Sequence, residues 1–284
     1  MKKYFMPWAL ALGFCFLFSF NDLTPNASQL VTQMLAAGKQ VQTAKFSLYK
    51  QERINGKLTS ERSIVKLQQK PFKVYLKYET PNPGMEVLFV QGQNENQAYI
   101  RPSNFPWTTI SLSPYNSTMR AGQHHTIYDM GFGQILNITE FMLKKYGSQA
   151  NSMLKLNGTT TWNNLTCYQL SLENPNFKYV DYTVAKGENL VTIAGKFKIS
   201  EYMILEKNPA IDDYNDVSAG QKIKIPTDYA AKISMLLDQQ TNLPVVIKVY
   251  DDKGLFEQYE YRNLKVNPTF QAAEFTKTFK DYKF

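Results

Sequence analysis

The residues with the clearest potential for catalysis are His124 and His125, which are adjacent in the chain. Either histidine could form an acid–base pair with Glu140 or Asp129. The sequence indicates no nucleophile, because neither Cys167 nor any serine or threonine lies in a sequence context that activates one. Neighbouring side chains on a helix or strand diverge, so we expect that the two histidines cannot bind one metal ion. The sequence therefore predicts no enzyme, with no catalytic residues, no metal site and no cofactor.

The composition is typical of a globular, sheet-rich protein with a basic surface. Of the 284 residues, 43% are hydrophobic and 14% are aromatic, and the formal net charge is +8. This is enough apolar material for a core. The lysines are scattered along alternating segments without an arginine cluster or a nucleic-acid-reading motif, so no nucleic-acid partner is expected. The positive charge suits an anionic lipid surface or a polyanionic cell wall.

Residues 1–20 have the pattern of a secretory signal peptide. Lys2 and Lys3 precede an apolar run, residues 6–18, that is too short to span a bilayer. No Ala-x-Ala cleavage site follows, so an uncleaved anchor is one alternative and lipidation of Cys15 is another. We expect secretion across the inner membrane into the periplasm or cell envelope, with a mature chain that is peripheral to a membrane at most.

Periodicity predicts a helix, a meander of antiparallel strands, a second helix and then further strands. Helical spacing covers residues 26–43, where Asn26 can cap the helix, and residues 124–146, where Gly131 and Gly133 are expected to break or kink the start. Asn55-Gly56 is a strong hairpin signal between two alternating segments. Further strands are expected at residues 165–172 and 233–237, with a segment of different pattern between them.

That intervening segment, residues 182–226, has the order strand, helix, helix, strand. Asn189 and Ser200 are expected to cap its two helices. It resembles the lysin motif (LysM) module at many positions: Tyr182-Thr183-Val184, Gly187, Leu190, Ile193-Ala194, Phe197, Ser200, Ile204, Asn208-Pro209, Gly220-Gln221, Ile223 and Ile225-Pro226. A departure is that Glu188-Asn189 stands where Asp-Thr is usual and Val191 where an aromatic residue is common.

The LysM resemblance implies binding of polymers that contain N-acetylglucosamine, mainly peptidoglycan, in a groove between two loops. Carried over to this sequence, the carbohydrate-binding residues are Gly187, Glu188, Asn189 and Leu190 in the first loop and Asn208, Pro209, Ala210 and Ile211 in the second. Backbone amides and Asn or Glu side chains would bond the acetamido and hydroxyl groups. Leu190 and Ile211 would cover the apolar face of a sugar. The alternative is a module that packs on its host and binds no sugar.

The rest of the chain, residues 21–180 and 229–284, resembles the LolA-like superfamily of lipoprotein carriers. Within it, the chain looks like a family of uncharacterised bacterial secreted domains. The motifs that carry this resemblance are Gln51-Glu52-Arg53 with Asn55-Gly56, Lys70-Pro71-Phe72-Lys73-Val74-Tyr75, Gly84-Met85-Glu86-Val87-Leu88-Phe89, Gly122-Gln123-His124-His125-Thr126-Ile127 with Gly131, and Glu274-Phe275. The LysM domain, residues 181–228, would then be inserted in this host between two neighbouring strands.

The host resemblance implies an α+β fold, a curved and unclosed antiparallel β-barrel with helices on its concave side. Known members carry acyl chains in an apolar cavity, and here the implied lining is Phe72, Val74, Leu76, Phe89 and Ile100. The alternative is that these side chains only pack against the helices. The prediction is a secreted, non-catalytic envelope protein that binds peptidoglycan or a related N-acetylglucosamine glycan through LysM. The other hypothesis is a periplasmic carrier or sensor of lipid or lipoprotein acyl chains, with LysM as its tether to the wall.

Overall fold

The computed structural model describes Met1, residues 25–105 and residues 107–284. The predicted signal peptide therefore lies outside the described residues, apart from Met1. The helices are α1 (Ala27–Lys39), α2 (Ser117–Arg120), α3 (Gly133–Tyr146), α4 (Ala150–Met153), α5 (Leu190–Phe197) and α6 (Glu201–Lys207). The strands are β1 (Thr43–Ile54), β2 (Lys57–Gln68), β3 (Lys73–Thr80), β4 (Glu86–Val90), β5 (Ala98–Arg101), β6 (Ile110–Leu112), β7 (Leu154–Trp162), β8 (Leu165–Glu173), β9 (Tyr179–Thr183), β10 (Lys222–Pro226), β11 (Lys232–Asp238), β12 (Pro244–Asp251) and β13 (Gly254–Val266).

Most of the described strands belong to one antiparallel sheet. Its eleven strands follow the order β6-β5-β4-β3-β2-β1-β13-β12-β11-β8-β7, and β9 and β10 form a separate pair. The strands β6 and β7 are edges that do not meet, so the sheet is unclosed. The predicted fold class, α+β with a large unclosed antiparallel sheet, is confirmed.

The two faces of the sheet are covered by different parts of the chain. Val74 and Leu76 of β3 belong to the main core, together with Leu30 and Met34 of α1. Tyr75 points to the opposite face, because successive residues of a strand alternate. There it forms a smaller cluster with the C-terminal segment, in which Tyr75 stacks on Tyr282 at 3.8 Å between ring centroids.

Local signals placed several element boundaries correctly. Asn26 caps α1, since its side chain accepts a hydrogen bond from the backbone of Gln29 at 2.9 Å. Asn55 and Gly56 have φ values of 49° and 75°, the left-handed region that a tight hairpin turn between β1 and β2 requires.

The helix predicted over residues 124–146 begins only at Gly133, at the expected break near Gly131 and Gly133, so residues 124–130 are not helical as predicted. Residues 124–132 form bends and one short 3₁₀ turn, Ile127–Asp129. Gly131 has φ 93°, and a Cβ atom there would lie 2.5 Å from the side chain of Leu67. The positive φ at Gly131 interrupts the helical backbone, and the close approach to Leu67 leaves room only for glycine.

The LysM segment lies between two strands of the main sheet in the chain order. Strands β8 and β11 pair directly, with Glu173 opposite Lys232. Within the segment, β9 pairs antiparallel with β10, with Thr183 opposite Lys222, and a separate apolar cluster includes Leu190, Ile193 and Ile204. No helix in the described part of the chain has both the length and the apolarity needed to cross a bilayer.

Candidate functional site

The first predicted binding loop begins helix α5. Gly187 has φ 81° and turns the chain, and Asn189 caps the helix by accepting a hydrogen bond from the Thr192 backbone at 2.9 Å. The Asn189 Nδ2 donates to Asn215 Oδ1, also at 2.9 Å. The backbone N–H of Leu190 donates to the Tyr214 carbonyl at 2.9 Å. This loop is therefore held against residues 212–215.

Glu188 is oriented by its own module. Its carboxylate accepts from the Tyr182 hydroxyl at 2.7 Å, from the Ala185 backbone at 3.0 Å and from Lys196 Nζ at 3.2 Å. The Ala185 and Tyr182 hydrogen bonds lower the pKa of Glu188. Glu188 is thus an ionised acceptor in a defined orientation.

The second predicted loop is fixed by hydrogen bonds within the module. Asn208 Nδ2 donates to the carbonyls of Ile204 and Lys224 at 2.7 and 2.8 Å, and its Oδ1 accepts from the Lys224 backbone at 2.8 Å. These bonds join α6 to β10. Leu190 and Ile211 are 0% and 6% exposed in the core of the module, so in this structure neither side chain offers a surface to a sugar.

Residues 212–215, which directly follow the predicted second loop, face the first loop. Pro209 and Ala210 are exposed, but the cleft beside Asn189 is lined by residues 212–215 rather than by these two. This cleft has a volume of about 560 Å³. The LysM resemblance did not point to Asp212, Asp213, Tyr214 and Asn215, although this cluster of turn-forming residues after Asn208-Pro209 indicates a loop.

Helix α6 joins the LysM module to the host sheet. Tyr202 and Met203 belong to the main core of the host, whereas Ile204 belongs to the core of the module. The Tyr202 hydroxyl accepts from the Asn55 backbone at 2.9 Å. Arg53 of β1 lies between Glu206 of α6, at 3.0 Å, and Asp251, which it also contacts. The module is therefore packed on the hairpin of β1 and β2.

A second cluster of polar side chains lies inside the host. Glu52 of β1 and Glu257 of β13 are directly opposite each other in the sheet register, and both are buried. His124 Nδ1 and His125 Nε2 lie 2.9 and 3.0 Å from the same Glu257 oxygen. The Tyr229 hydroxyl donates to the other Glu257 oxygen at 2.6 Å.

This arrangement overturns the expectation that the adjacent histidines diverge. They lie in a bend, not in a helix or strand, so both rings can point to Glu257. The predicted acid–base partners are engaged elsewhere. Glu140 pairs with Lys39, and Asp129 accepts from the backbone of Thr126 at 3.0 Å.

The cluster consists of mutually stabilised charges. Burial opposes the charged form of His125, but attraction to Glu257 and its hydrogen bond outweigh burial and raise the pKa of His125 to about 9. Burial likewise opposes ionisation of Glu257, yet the two histidines hold its pKa well below its usual range. Burial and the nearby carboxylates raise the pKa of Tyr229 and of Tyr259 well above the ordinary value. At neutral pH the carboxylate is therefore ionised, His125 is protonated, and both phenols are neutral.

Glu52, His124 and Glu257 are the described residues that come nearest to a metal site, with candidate ligand atoms within 4.8 Å of one another. These atoms already have partners. His124 Nε2 lies 2.9 Å from the Arg53 carbonyl, and Glu52 Oε1 accepts from the Tyr259 hydroxyl at 2.7 Å. A metal would have to displace these hydrogen bonds, so the geometry favours an ion-pair network.

Cys167 does not have the environment of a nucleophile. It is buried in β8, and burial, followed by the charge of Asp238, raises its pKa to about 11. The thiol therefore stays protonated at neutral pH, whereas a nucleophilic cysteine needs its thiolate form.

The five predicted lipid-cavity residues lie on one side of the sheet. Val74, Leu76, Phe89 and Ile100 are buried in the main core, and Phe72 packs against it partly exposed. The cavity beside Leu76 has a volume of about 100 Å³ and is lined on one side by the Glu52, His125 and Glu257 cluster. Ligand pockets typically have volumes of roughly 300–1,000 Å³, so this cavity is too small for an acyl chain in this conformation.

Comparison with known proteins assigns the chain to a family. The family model described as "Protein of unknown function (DUF1571)" matches residues 41–186 and 214–284, well over half of the chain. The chain belongs to the DUF1571 family. A LysM domain model matches residues 182–226, which confirms the LysM resemblance in this DUF1571 chain. None of the curated proteins compared with the chain matches it.

The DUF1571 chain is distantly similar to several solved structures. MucB is 12% identical, with 88% of this chain and 62% of the MucB chain covered and a TM-score of 0.41. The chain thus spans less than two thirds of MucB. The Mycobacterium tuberculosis lipoprotein LppX is 14% identical, with 85% and 95% covered and a TM-score of 0.37. A Vibrio parahaemolyticus outer membrane lipoprotein-sorting protein domain is 9% identical, with 89% and 96% covered and a TM-score of 0.34.

Proposed function

We propose that this DUF1571 protein is a non-catalytic protein of the bacterial cell envelope that binds peptidoglycan through its LysM module. The LysM family match over residues 182–226 carries this proposal, because LysM is a glycan-binding type of module. The domain limits proposed with it are 181–228 for LysM, and 21–180 with 229–284 for the host. The signal-like residues 1–20 support secretion into the envelope.

The chemistry of the cleft beside α5 suits a neutral sugar polymer. Asn189 and Asn215 present amide groups, and Asp212 and Asp213 present carboxylates that can accept hydrogen bonds from hydroxyl groups. We place the glycan contacts of the second loop at residues 212–215, because Leu190 and Ile211 are in the module core. The first-loop residues Glu188 and Asn189 stay part of the proposed site.

Co-sedimentation with purified sacculi tests the proposal. The mature wild-type protein should sediment with sacculi, and the double variant Asn189→Ser with Asp212→Ala should stay largely in the supernatant. Serine keeps the helix cap of α5 and removes the amide donor. The matched control is Asp181→Ala, which removes an exposed carboxylate on β9 away from the cleft. Wild-type protein that stays in the supernatant would contradict the proposal.

A second candidate function, carriage of a lipid or lipoprotein acyl chain, is favoured by one surface cleft. This cleft has a volume of about 440 Å³, and its apolar lining includes Ile100, one of the predicted cavity residues, with Met85, Val87, Ile110, Leu112 and Met119. Organic extraction and mass spectrometry of protein purified from its own envelope without detergent would test this function. Lipid at one equivalent per protein is expected if the carrier function is correct, and its absence would reject it.

A further inference from the structure

The cleft beside α5 is closed on its other side by the host domain. The host residues that line it include Asn55, Tyr115, Ser117 and Arg120, which lie in the hairpin turn after β1 and in or just before α2. A ligand in the LysM cleft would therefore contact two parts of the molecule that are far apart in sequence. This geometry gives the host a direct role in recognition.

Arg120 is the unusual member of this lining. Its side chain is 5% exposed, its Nη2 contacts Glu201, and its guanidinium carbon lies 3.4 Å from the centroid of the Tyr214 ring. Its Nε has no hydrogen-bond partner among the described residues. Buried N–H donors are almost always paired, because leaving one unpaired costs the desolvation of that group. An acceptor supplied by a bound ligand would satisfy it.

Tyr115 provides a flat surface at the same place. Its side chain is exposed, with 56% of the residue surface accessible. It lines the cleft beside α5 and also an adjoining cleft of about 470 Å³ that runs between the module and the host. Aromatic rings with a polar end, such as tyrosine, combine a large apolar face with hydrogen bonding and suit a sugar ring that has the same two characters.

The charges in the cleft indicate what kind of ligand fits. Asp212 and Asp213 are both exposed in its wall, while the positive charge of Arg120 is already compensated by Glu201. An anionic ligand such as a phosphate polymer would meet two carboxylates without a free cation among these lining residues. A neutral ligand with hydroxyl donors and an amide carbonyl acceptor matches the groups available.

We infer that the glycan site is composite, with an N-acetylglucosamine oligomer bound between the LysM loops and the host segment 115–120. The Tyr115 ring packs on a sugar ring, and a shift of the Arg120 side chain on binding brings its shielded Nε–H to an acetamido carbonyl of the ligand, to which it donates. This inference rests on the proposed glycan-binding function and adds host residues as specificity determinants. It also makes glycan binding dependent on the docked arrangement of the module.

Isothermal titration of the mature full-length protein with an N-acetylglucosamine hexamer tests the composite site. Tyr115→Ala should weaken binding about tenfold, as expected for loss of a packed aromatic ring. Arg120→Lys should weaken it roughly fivefold, the effect of one lost hydrogen bond, and it retains the positive charge beside Glu201. Trp107→Ala is the matched control, because Trp107 is an exposed aromatic residue outside this cleft and should leave the affinity unchanged.

The outcomes separate this inference from the proposed function. Wild-type affinity in Tyr115→Ala and Arg120→Lys, with binding lost in Asn189→Ser/Asp212→Ala, would overturn the composite site and leave LysM binding intact. Absence of binding by the wild-type protein would reject both the composite site and the proposed glycan-binding function. Hydrogen exchange on the wild-type protein gives an answer that does not depend on variant folding. The hexamer should protect amides in residues 115–122 as well as 187–192, and protection confined to 187–192 would overturn the inference.

Discussion

At the scale of single residues, the host contains a buried ion-pair network around Glu257. Two histidines contact one of its oxygens and Tyr229 contacts the other. Because His125 gains this partner only on folding, its pKa rises from 6.5 to about 9 in the folded state. A pKa that differs between the folded and unfolded states makes stability depend on pH.

We predict that stability decreases as the pH rises from about 6.5 to about 9. A group whose pKa is raised in the folded state adds to the stability of that state. This added stability is complete below the pKa of the unfolded state and is lost as the pH rises through the pKa of the folded state. The difference between the pKa values of His125 in the unfolded and folded states corresponds to at most about 3 kcal/mol in the free energy of unfolding. Urea unfolding across this pH range should show the decrease in the wild-type protein, and His125→Gln should be less stable at pH 6 and much less dependent on pH.

Glu140→Gln is the matched control for this prediction. Glu140 also carries one ion pair, with Lys39, but the pair is at the surface, with the two side chains 40% and 62% exposed. Such pairs contribute roughly 0–1 kcal/mol, so this variant should follow the wild-type pH profile. An equally steep pH profile in His125→Gln and in the wild-type protein would contradict the assignment of the slope to His125.

At the scale of elements, α6 is the part of the LysM module with two packed faces. Met203 contributes to the host core and Ile204 to the module core, and the ion pair of Arg53 with Glu206 adds a polar contact at the C-terminal end of the helix. Ile193 of α5, by contrast, lies only in the module core. Met203 therefore reports on the docking of the module on the host, whereas Ile193 reports on packing inside the module. Both side chains are fully buried.

We predict different regional effects of Met203→Ala and Ile193→Ala. Each removes a fully buried side chain and should reduce the free energy of unfolding by about 2–5 kcal/mol. Hydrogen exchange should accelerate in both the module and the β1–β2 hairpin for Met203→Ala, but mainly in the module for Ile193→Ala. Identical exchange maps for the two variants would show that α6 is not the coupling element.

At the scale of the whole molecule, one large sheet holds the chain together while the module is attached to its interior strands. The module enters after β8 and leaves before β11, and these two strands pair. Its docking helix reaches the host core, and Tyr202 stacks on His124 with 4.6 Å between ring centroids. The module and the host therefore share buried contacts, and the chain connects them at both ends of the module.

We predict that the module and the host unfold in one transition. A protein prepared without residues 1–20 contains the tryptophans Trp107 and Trp162, both in the host, so its tryptophan fluorescence follows host unfolding. Far-UV circular dichroism follows all the helices, including α5 and α6 of the module. Coincident denaturant curves from the two probes are expected if the shared core makes the parts cooperative. Two separated transitions would indicate independent domains.

Sequence patterns alone determined the features that depend on neighbouring residues. The capped start of α1 at Asn26, the hairpin at Asn55-Gly56 and the caps of α5 and α6 at Asn189 and Ser200 follow from local backbone chemistry. The LysM pattern is equally local, because all its positions lie within about 45 residues and so could be recognised as one motif.

Only the tertiary structure decided the features that join distant parts of the chain. His124 and Glu257 are 133 residues apart, and they meet because His124 contacts the Arg53 carbonyl of β1 and β1 pairs with β13. The same long-range contacts replaced the expected start of α3 with a bend, since the histidine rings bind Glu257 and the backbone at Gly131 packs closely on Leu67. Arg120 also meets residues distant in sequence, Glu201 and Tyr214 of the LysM module. The energy of such contacts depends on strand register and docking, which no local periodicity encodes.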